Sequence, residues 1–264
     1  MSTQFDTSAF QQKLTTQWIG QSLTYFEELE STNSYVKSLP ADKIDHGMLC
    51  VTDNQTQGRG QYEREWESES GQNLTFSLVF KPQARERFHV LTLACALAIV
   101  DQLQEIFNDP QVCIKWPNDV LLNGKKVAGL LTETMFAGNK LDRLVIGIGM
   151  NVNQTSFSPG ISSEATSVQL KKGHSVEREP LLSNLLRRIE YKYNLWQRQH
   201  RALIKGINRN IVGYGQWVGL KVNGELKKNT FKMLGINEKG QLLMLNQDGG
   251  IESFSYEQIR LITD

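Results

Sequence analysis

Apolar and polar positions alternate along residues 73–82, NLTFSLVFKP, and the β-branched and aromatic residues there predict a strand. Residues 23–29, LTYFEEL, and 47–55, GMLCVTDNQ, read as two more. Between them, Ser31 or Thr32 is placed to cap a short helix within ESTNSYVKSL. The period changes over residues 85–107. Leu91, Ala94, Ala98 and Leu103 recur at helical spacing in a segment too long for a strand, which predicts a buried helix. VCIKW, VLLNGKKVAGLLTETMF and LDRLVIGIGMNVN supply three or four further strands, with Asn123-Gly124 as a hairpin turn. A long serine-rich loop carrying Gly160 and Gly173 follows. Pro180, read as the first helical position, then opens a helix through Leu181, Leu185, Ile189, Tyr193 and Trp196.

Beyond about residue 213 the texture changes to four or five short strands. Their tight turns fall at Asn223-Gly224, Lys239-Gly240 and Gly249-Gly250, the pattern of a small barrel. The expected organisation is therefore two domains, residues 1–212 and 213–264. A chain of 264 residues with 39% hydrophobic content can bury a sizeable core. Lys and Arg number 29 against 28 Asp and Glu, so no whole-molecule field for nucleic acid is expected. No run approaches 18 apolar residues and the first residues lack a leader pattern, so neither a membrane span nor a signal peptide is expected. Cys50, Cys95 and Cys113 are odd in number, far apart and in apolar contexts. They fit a reducing, cytoplasmic setting rather than a disulfide or metal framework. His46, His89, His174 and His200 form no spaced pair, and no protein metal ligand is assigned.

Three segments carry candidate chemistry. In QTQGRGQYEREW, Gly58 and Gly60 flank Arg59, a permanent charge able to meet a phosphate or carboxylate; a mobile surface turn is the alternative. It is neither a dinucleotide fingerprint nor a Walker loop. In KWPND, Lys115 lies at a strand end that Pro117 terminates. It either faces solvent or is delivered into a cleft to meet an anion. In VIGIGMNVNQ, Gly147 and Gly149 thin a strand so that a backbone or flat ligand can lie against it, and the Asn151 and Asn153 amides could read a base edge.

Taken in order, ESTN at 30–33, QTQGRG at 55–60, KWPND at 115–119, KVAGLLTE at 126–133 and GIGMNVN at 147–153 resemble the biotin protein ligases. EATSVQL and the C-terminal pattern extend the likeness to most of the chain. The resemblance implies an α/β (α+β) fold: a catalytic domain like that of class II aminoacyl-tRNA synthetases, with a mixed, largely antiparallel sheet and helices on one face, then an SH3-like barrel. It implies a two-step reaction with ATP, magnesium and biotin. Biotin is first activated to biotinyl-5′-AMP, then passed to a lysine of the biotin carboxyl carrier protein of acetyl-CoA carboxylase or a related carboxylase. By motif, Ser31, Thr32, Asn33, Gln55, Arg59, Gly60, Gln61, Lys115, Gly129 and Leu131 fall to biotin. Arg59, Trp66, Asn118, Lys115 and Asn151 fall to the nucleotide. Lys115 and Arg59 are the expected catalytic cations, and Asp119 is expected to accept or orient the carrier's proton.

Some members carry an N-terminal DNA-binding domain. Only about 22 residues precede the first strand here, so a form without it, and without DNA binding, is expected. Members differ in assembly, some pairing as homodimers through sheet edges and others staying monomeric. One departure bears on activity. Gln61 stands where a second arginine is common, and Glu63 adds a negative charge. The adenylate is therefore expected to dissociate faster than from a more basic relative. Adenylate release rates measured side by side check this, and equal rates would contradict it.

Overall fold

The computed structural model describes residues 4–61, 65–81, 87–108, 111–222, 225–227, 229–255 and 259–262. Its main sheet is built from β1 (Leu23–Leu29), β2 (Leu49–Gln55), β3 (Leu74–Phe80), β4 (Val112–Lys115), β5 (Asp119–Leu122), β6 (Lys125–Ala137) and β7 (Lys140–Met150). The spatial order is β1-β2-β3-β7-β6-β5-β4. Only β1 and β2 run parallel, and the crossover between them contains the helix α2 (Thr32–Ser38). Every other pairing is antiparallel, so the sheet is mixed and largely antiparallel as expected. Asn123 at φ 52° and Gly124 at φ 77° supply the two positive-φ positions that the β5–β6 hairpin demands.

The two faces of the sheet differ. Leu74, Phe76, Leu78 and Phe80 of β3 and Leu144, Ile146, Ile148 and Met150 of β7 point into the main core. That core is filled by α3 (Phe88–Phe107), in which every residue from Val90 to Val100 is buried. α3 lies between the sheet and the helices α5 (Arg178–Arg198) and α6 (His200–Asn210). By length and composition it is apolar enough to cross a membrane. It is not an unbroken apolar run, since His89, Asp101, Gln102, Gln104 and Glu105 interrupt it, and most of it is buried inside the protein. A helix covered on all sides by protein loses its polar face, and α3 is covered in this way.

Further differences concern helices. Helix α5 begins at Arg178, so Pro180 is its third residue; any position in the first turn tolerates a missing N–H. The short α1 (Thr7–Lys13) and α4 (Val168–Lys172), together with α6, were not expected from the pattern. Helices are not confined to one face. α2 packs on the other, where Val36 joins Ile44, Met48, Cys50, Val79 and Val145 in a second apolar cluster.

The C-terminal strands β8 (Trp217–Val222), β9 (Glu225–Leu226), β10 (Phe231–Ile236), β11 (Leu242–Leu245), β12 (Ile251–Phe254) and β13 (Ile259–Ile262) form a second, curled antiparallel sheet. The Asn223-Gly224 turn lies outside the described residues. This sheet docks through specific bonds. Trp116 Nε1 donates to the Gly240 carbonyl at 3.2 Å, and Ile236 N donates to Asn208 Oδ1 at 2.8 Å. The N-terminal segment is tied down as firmly. Glu190 accepts from the backbone N–H groups of Gln17, Trp18 and Ile19. Buried Asp53 pairs with Arg178 at 2.6 Å and accepts from Phe5 N.

All three cysteines are free thiols, and burial pushes Cys50 and Cys95 up to about 12, which makes both poor nucleophiles. His46 stacks on Trp18 at 4.2 Å, and its Nδ1 accepts from Lys81 N, so the ring is held neutral at that nitrogen. Burial, and then the Lys81 charge, lower its pKa. The folded state therefore binds the proton less readily than the unfolded chain. Stability from His46 is full above the ordinary imidazole value of about 6.5 and is lost as pH falls from there towards the lower folded value. Melting temperatures should drop over that window, and His46→Phe should flatten the drop.

Candidate functional site

The face of the sheet that carries α2 holds the site. Residues directly opposite in paired strands share a face, so the registers define a row across the sheet: Thr52, Thr75, Gly149, Gly129, Asp119, Lys115. The next row runs Cys50, Ser77, Gly147, Leu131. Gly129, Gly147 and Gly149 therefore leave a trough in the middle of the sheet. The glycines are required by what lies over them. A Cβ on Gly147 would sit 2.5 Å from Asn33 Oδ1, and one on Gly149 would sit 2.3 Å from the Trp66 indole.

The α2 side of the trough is fixed by a chain of hydrogen bonds. Ser31 caps the helix, and Thr32 donates to Gln55 Oε1 from its backbone N at 2.9 Å. Ser77 Oγ lies 2.7 Å from Thr32 Oγ1 and 2.6 Å from Asn33 Oδ1; an amide oxygen only accepts, so the Ser77 proton goes to Asn33. Asn33 Nδ2 in turn donates to the Leu131 carbonyl and to Glu133 Oε2. The other side is a glycine-hinged loop. Trp66 N donates to the Gly58 carbonyl at 2.9 Å, and a Cβ on Gly58 would approach Trp66 O to 2.7 Å.

Among the described residues, two cations enter the cleft, each with a carboxylate. Arg59 Nη2 lies 2.9 Å from Ser34 Oγ and 3.4 Å from Glu133. Lys126 Nζ lies 2.8 Å from Asp119 and 5.4 Å from the centre of the Trp66 ring, on which it forms a cation–π contact. Burial alone would raise the Glu133 pKa. Hydrogen bonds from Lys37 and Asn33, with the charges of Lys37 and Arg59, outweigh that and hold it below the ordinary carboxylate value. The buried Trp66 Nε1 and Thr75 Oγ1, both at the cleft, have no protein partner and are free to bond a ligand.

Most expected site residues meet here. Ser31, Thr32, Asn33 and Gln55 line one wall; Arg59, Gly60, Gln61 and Trp66 line the loop side; Asn118, Gly129 and Leu131 complete it. Tyr62, Glu63 and Arg64 lie outside the described residues. Asn118 is fixed by its side chain, which donates to the Leu130 carbonyl at 2.7 Å. Asn151 does not line the cleft; it is buried, donates to the Thr166 carbonyl and leaves its Oδ1 without a partner. Asp119 reaches the cleft only through Lys126.

For Lys115 the structure matches the solvent-facing alternative. It is exposed at the end of the edge strand β4 and does not line the cleft. Lys126 lines the cleft instead. The reason is a bulge. Val120 pairs with Ala128 but Leu121 pairs with Lys126, which leaves Val127 as an extra residue in β6. Simple alternation would put Lys126 and Gly129, three apart, on opposite faces; the bulge puts both on the trough. The Lys126 backbone is then pinned by the former loop, with its N–H on the Glu164 carbonyl at 2.7 Å and its carbonyl on Thr166 N at 2.9 Å.

Fold and cleft together place two cations, Arg59 and Lys126, beside a glycine trough lined by hydroxyl and amide side chains. Comparison with known proteins narrows the class. The profile of the Biotin/lipoate A/B protein ligase family matches residues 25–151. The chain is 34% identical over 241 residues to the bifunctional ligase/repressor BirA of Bacillus spizizenii, covering 89% of this chain and 73% of that protein. It is 35% identical over 161 residues to the biotin–[acetyl-CoA-carboxylase] ligase of Paracoccus denitrificans, covering 59% of this chain and 66% of that protein. The Aquifex aeolicus biotin protein ligase in complex with biotin and ATP superimposes with a TM-score of 0.80 at 30% identity, covering 92% of this chain and 100% of that one. The chain belongs to the biotin protein ligase family.

Proposed function

We propose that this chain is an ATP-dependent biotin protein ligase that makes biotinyl-5′-AMP and transfers biotin to a lysine of a biotin carboxyl carrier protein. The observation that carries the reading is the pair of cations, Arg59 and Lys126, converging on a glycine trough whose far wall is a hydroxyl and amide network. Biotin's ureido ring has donors and an acceptor to match Ser31, Thr32, Asn33 and Gln55. Its acid end then points along the trough towards the cations.

In the first step a carboxylate oxygen bonds to the α-phosphorus of ATP, and the bond from that phosphorus to the bridging oxygen breaks to release pyrophosphate. Two anions have to meet, and Arg59 and Lys126 offset the repulsion and the charge that grows in the transition state. Magnesium, supplied with the nucleotide, would offset part of the phosphate charge; among the described residues no cluster of His, Cys, Asp or Glu is placed to hold it. Trp66 and Asn118 line the side assigned to the nucleotide, and buried Asn151 acts behind it by holding the Thr166 segment. In the second step the carrier's lysine amine attacks the acyl carbon, the bond to AMP breaks, and an amide forms. Asp119, beside Lys126, is the carboxylate assigned to orient or accept the proton that the amine loses. Trp66, packed over Gly149, helps keep water from the mixed anhydride between the steps.

Incubation with ATP, magnesium and a carrier domain, followed by an avidin blot, tests the reading. Signal with biotin and none with lipoate is expected; a thermal shift with biotin but no blot signal would leave only a binding protein. Lys126→Ala should slow biotin-dependent pyrophosphate release by about 10²- to 10³-fold, the usual cost of removing a transition-state charge partner. Lys115→Ala should leave it within about three-fold, as for a surface position. The reverse ranking would return the role to Lys115.

A further inference from the structure

Glu133 has no part in the chemistry above, yet three donors converge on it. Lys37 Nζ is 2.5 Å from Oε1, Asn33 Nδ2 is 2.9 Å from Oε2, and Arg59 Nη2 is 3.4 Å from Oε2. It stands on β6 on the same face as Gly129 and Leu131, at the end of the trough. One carboxylate thus answers two cations. The two are held unequally: Lys37 is close, whereas Arg59 is longer and its side chain is 45% exposed.

We propose that Glu133 is an internal competitor for Arg59, a resident carboxylate that holds the guanidinium until a ligand's acid group takes it over. This rests on the reading of Arg59 as a partner of the ligand's acid group. The exchange is feasible because it strands no charge. When Arg59 leaves, Lys37 and Asn33 still satisfy Glu133; a half-buried carboxylate left alone would be costly. When Arg59 arrives, it exchanges one carboxylate for another of the same chemistry. Glu133 therefore sets the affinity for anionic ligands without touching them, and is a positioning residue. Ser34 Oγ, 2.9 Å from Arg59, completes the resting position.

The test is titration calorimetry with two probes and no nucleotide: biotin, which carries the carboxylate, and biotinamide, which is neutral. Glu133→Gln keeps an oxygen for Asn33 but removes the charge that holds Arg59. It should tighten biotin by about two- to five-fold, the range set by a partly exposed ion pair, and leave biotinamide unchanged. Lys37→Met should act in the opposite direction. It leaves Arg59 as the only cation on Glu133, so biotin should weaken by a similar factor while biotinamide again stays constant. In an Arg59→Met background both effects should vanish.

Parallel shifts of the two probes, weaker biotin binding by Glu133→Gln, or tighter binding by Lys37→Met would overturn the proposal. The lysine variant alters a partly exposed side chain, so the test survives if the glutamate variant folds poorly. Absence of biotin binding to the unaltered chain would overturn the reading of the cleft and this proposal with it. Binding indifferent to Glu133 overturns only the proposal.

Discussion

The cleft depends on a single extra residue in a strand. Val127 breaks the alternation of β6, and without that break Lys126 would point into the apolar core beneath the sheet. A bulge is tolerated only where the displaced backbone finds other partners. Here it does. The Val127 carbonyl accepts from Asn151 N at 2.8 Å, and the Lys126 peptide groups pair with residues 164 and 166. Asn151 also holds that segment through Thr166. The GIGMNVN strand end, the EAT segment and the lysine are therefore one mechanical unit, although 40 positions separate Lys126 from Thr166.

The electrostatics follow the same economy. A cation in a half-buried cleft loses hydration, a cost that a nearby carboxylate offsets. Each cation here has a resident carboxylate, Asp119 for Lys126 and Glu133 for Arg59. The carboxylates differ in what else they hold. Asp119 has Lys126 as its cation, while Glu133 is shared with Lys37 and Asn33. The lysine is consequently fixed in place and the arginine is exchangeable, which suits a rigid strand for one and a glycine-flanked loop for the other.

Much of this was legible in the sequence. Alternation in NLTFSLVFKP and helical spacing from Leu91 to Leu103 identify the sheet and its central helix, because both signals come from burial on a regular lattice. The Ser31 cap, the Asn123-Gly124 turn and most of the cleft lining were also readable, since caps, turns and glycines act locally. The lysine that lines the cleft was not. Lys115 in KWPND is the conspicuous cation, and Lys126 looks like one of two hairpin lysines in GKK. Only the register reveals the bulge, and register is a property of two strands together. Glu133 and Ser77 escaped for a related reason. Their partners are Asn33, Lys37 and Thr32, about 45 to 100 positions away, and nothing in the local pattern announces them.

The two roofs of the trough differ in how they are held, and this separates its two ends. Asn33 is fixed at every polar atom, by Ser77 on its oxygen and by Leu131 and Glu133 on its nitrogen. Trp66 is held by one backbone bond to a glycine-hinged loop and by packing on Gly149, and its indole N–H has no partner. A buried donor without a partner costs about 1–3 kcal/mol, which a ligand acceptor or a shift of the ring would recover. The wall at the α2 end is thus set before binding, whereas the loop end gains by rearranging around what enters. Hydrogen bonds therefore hold the wall at the α2 end, whereas the indole N–H at the loop end is left for a ligand acceptor.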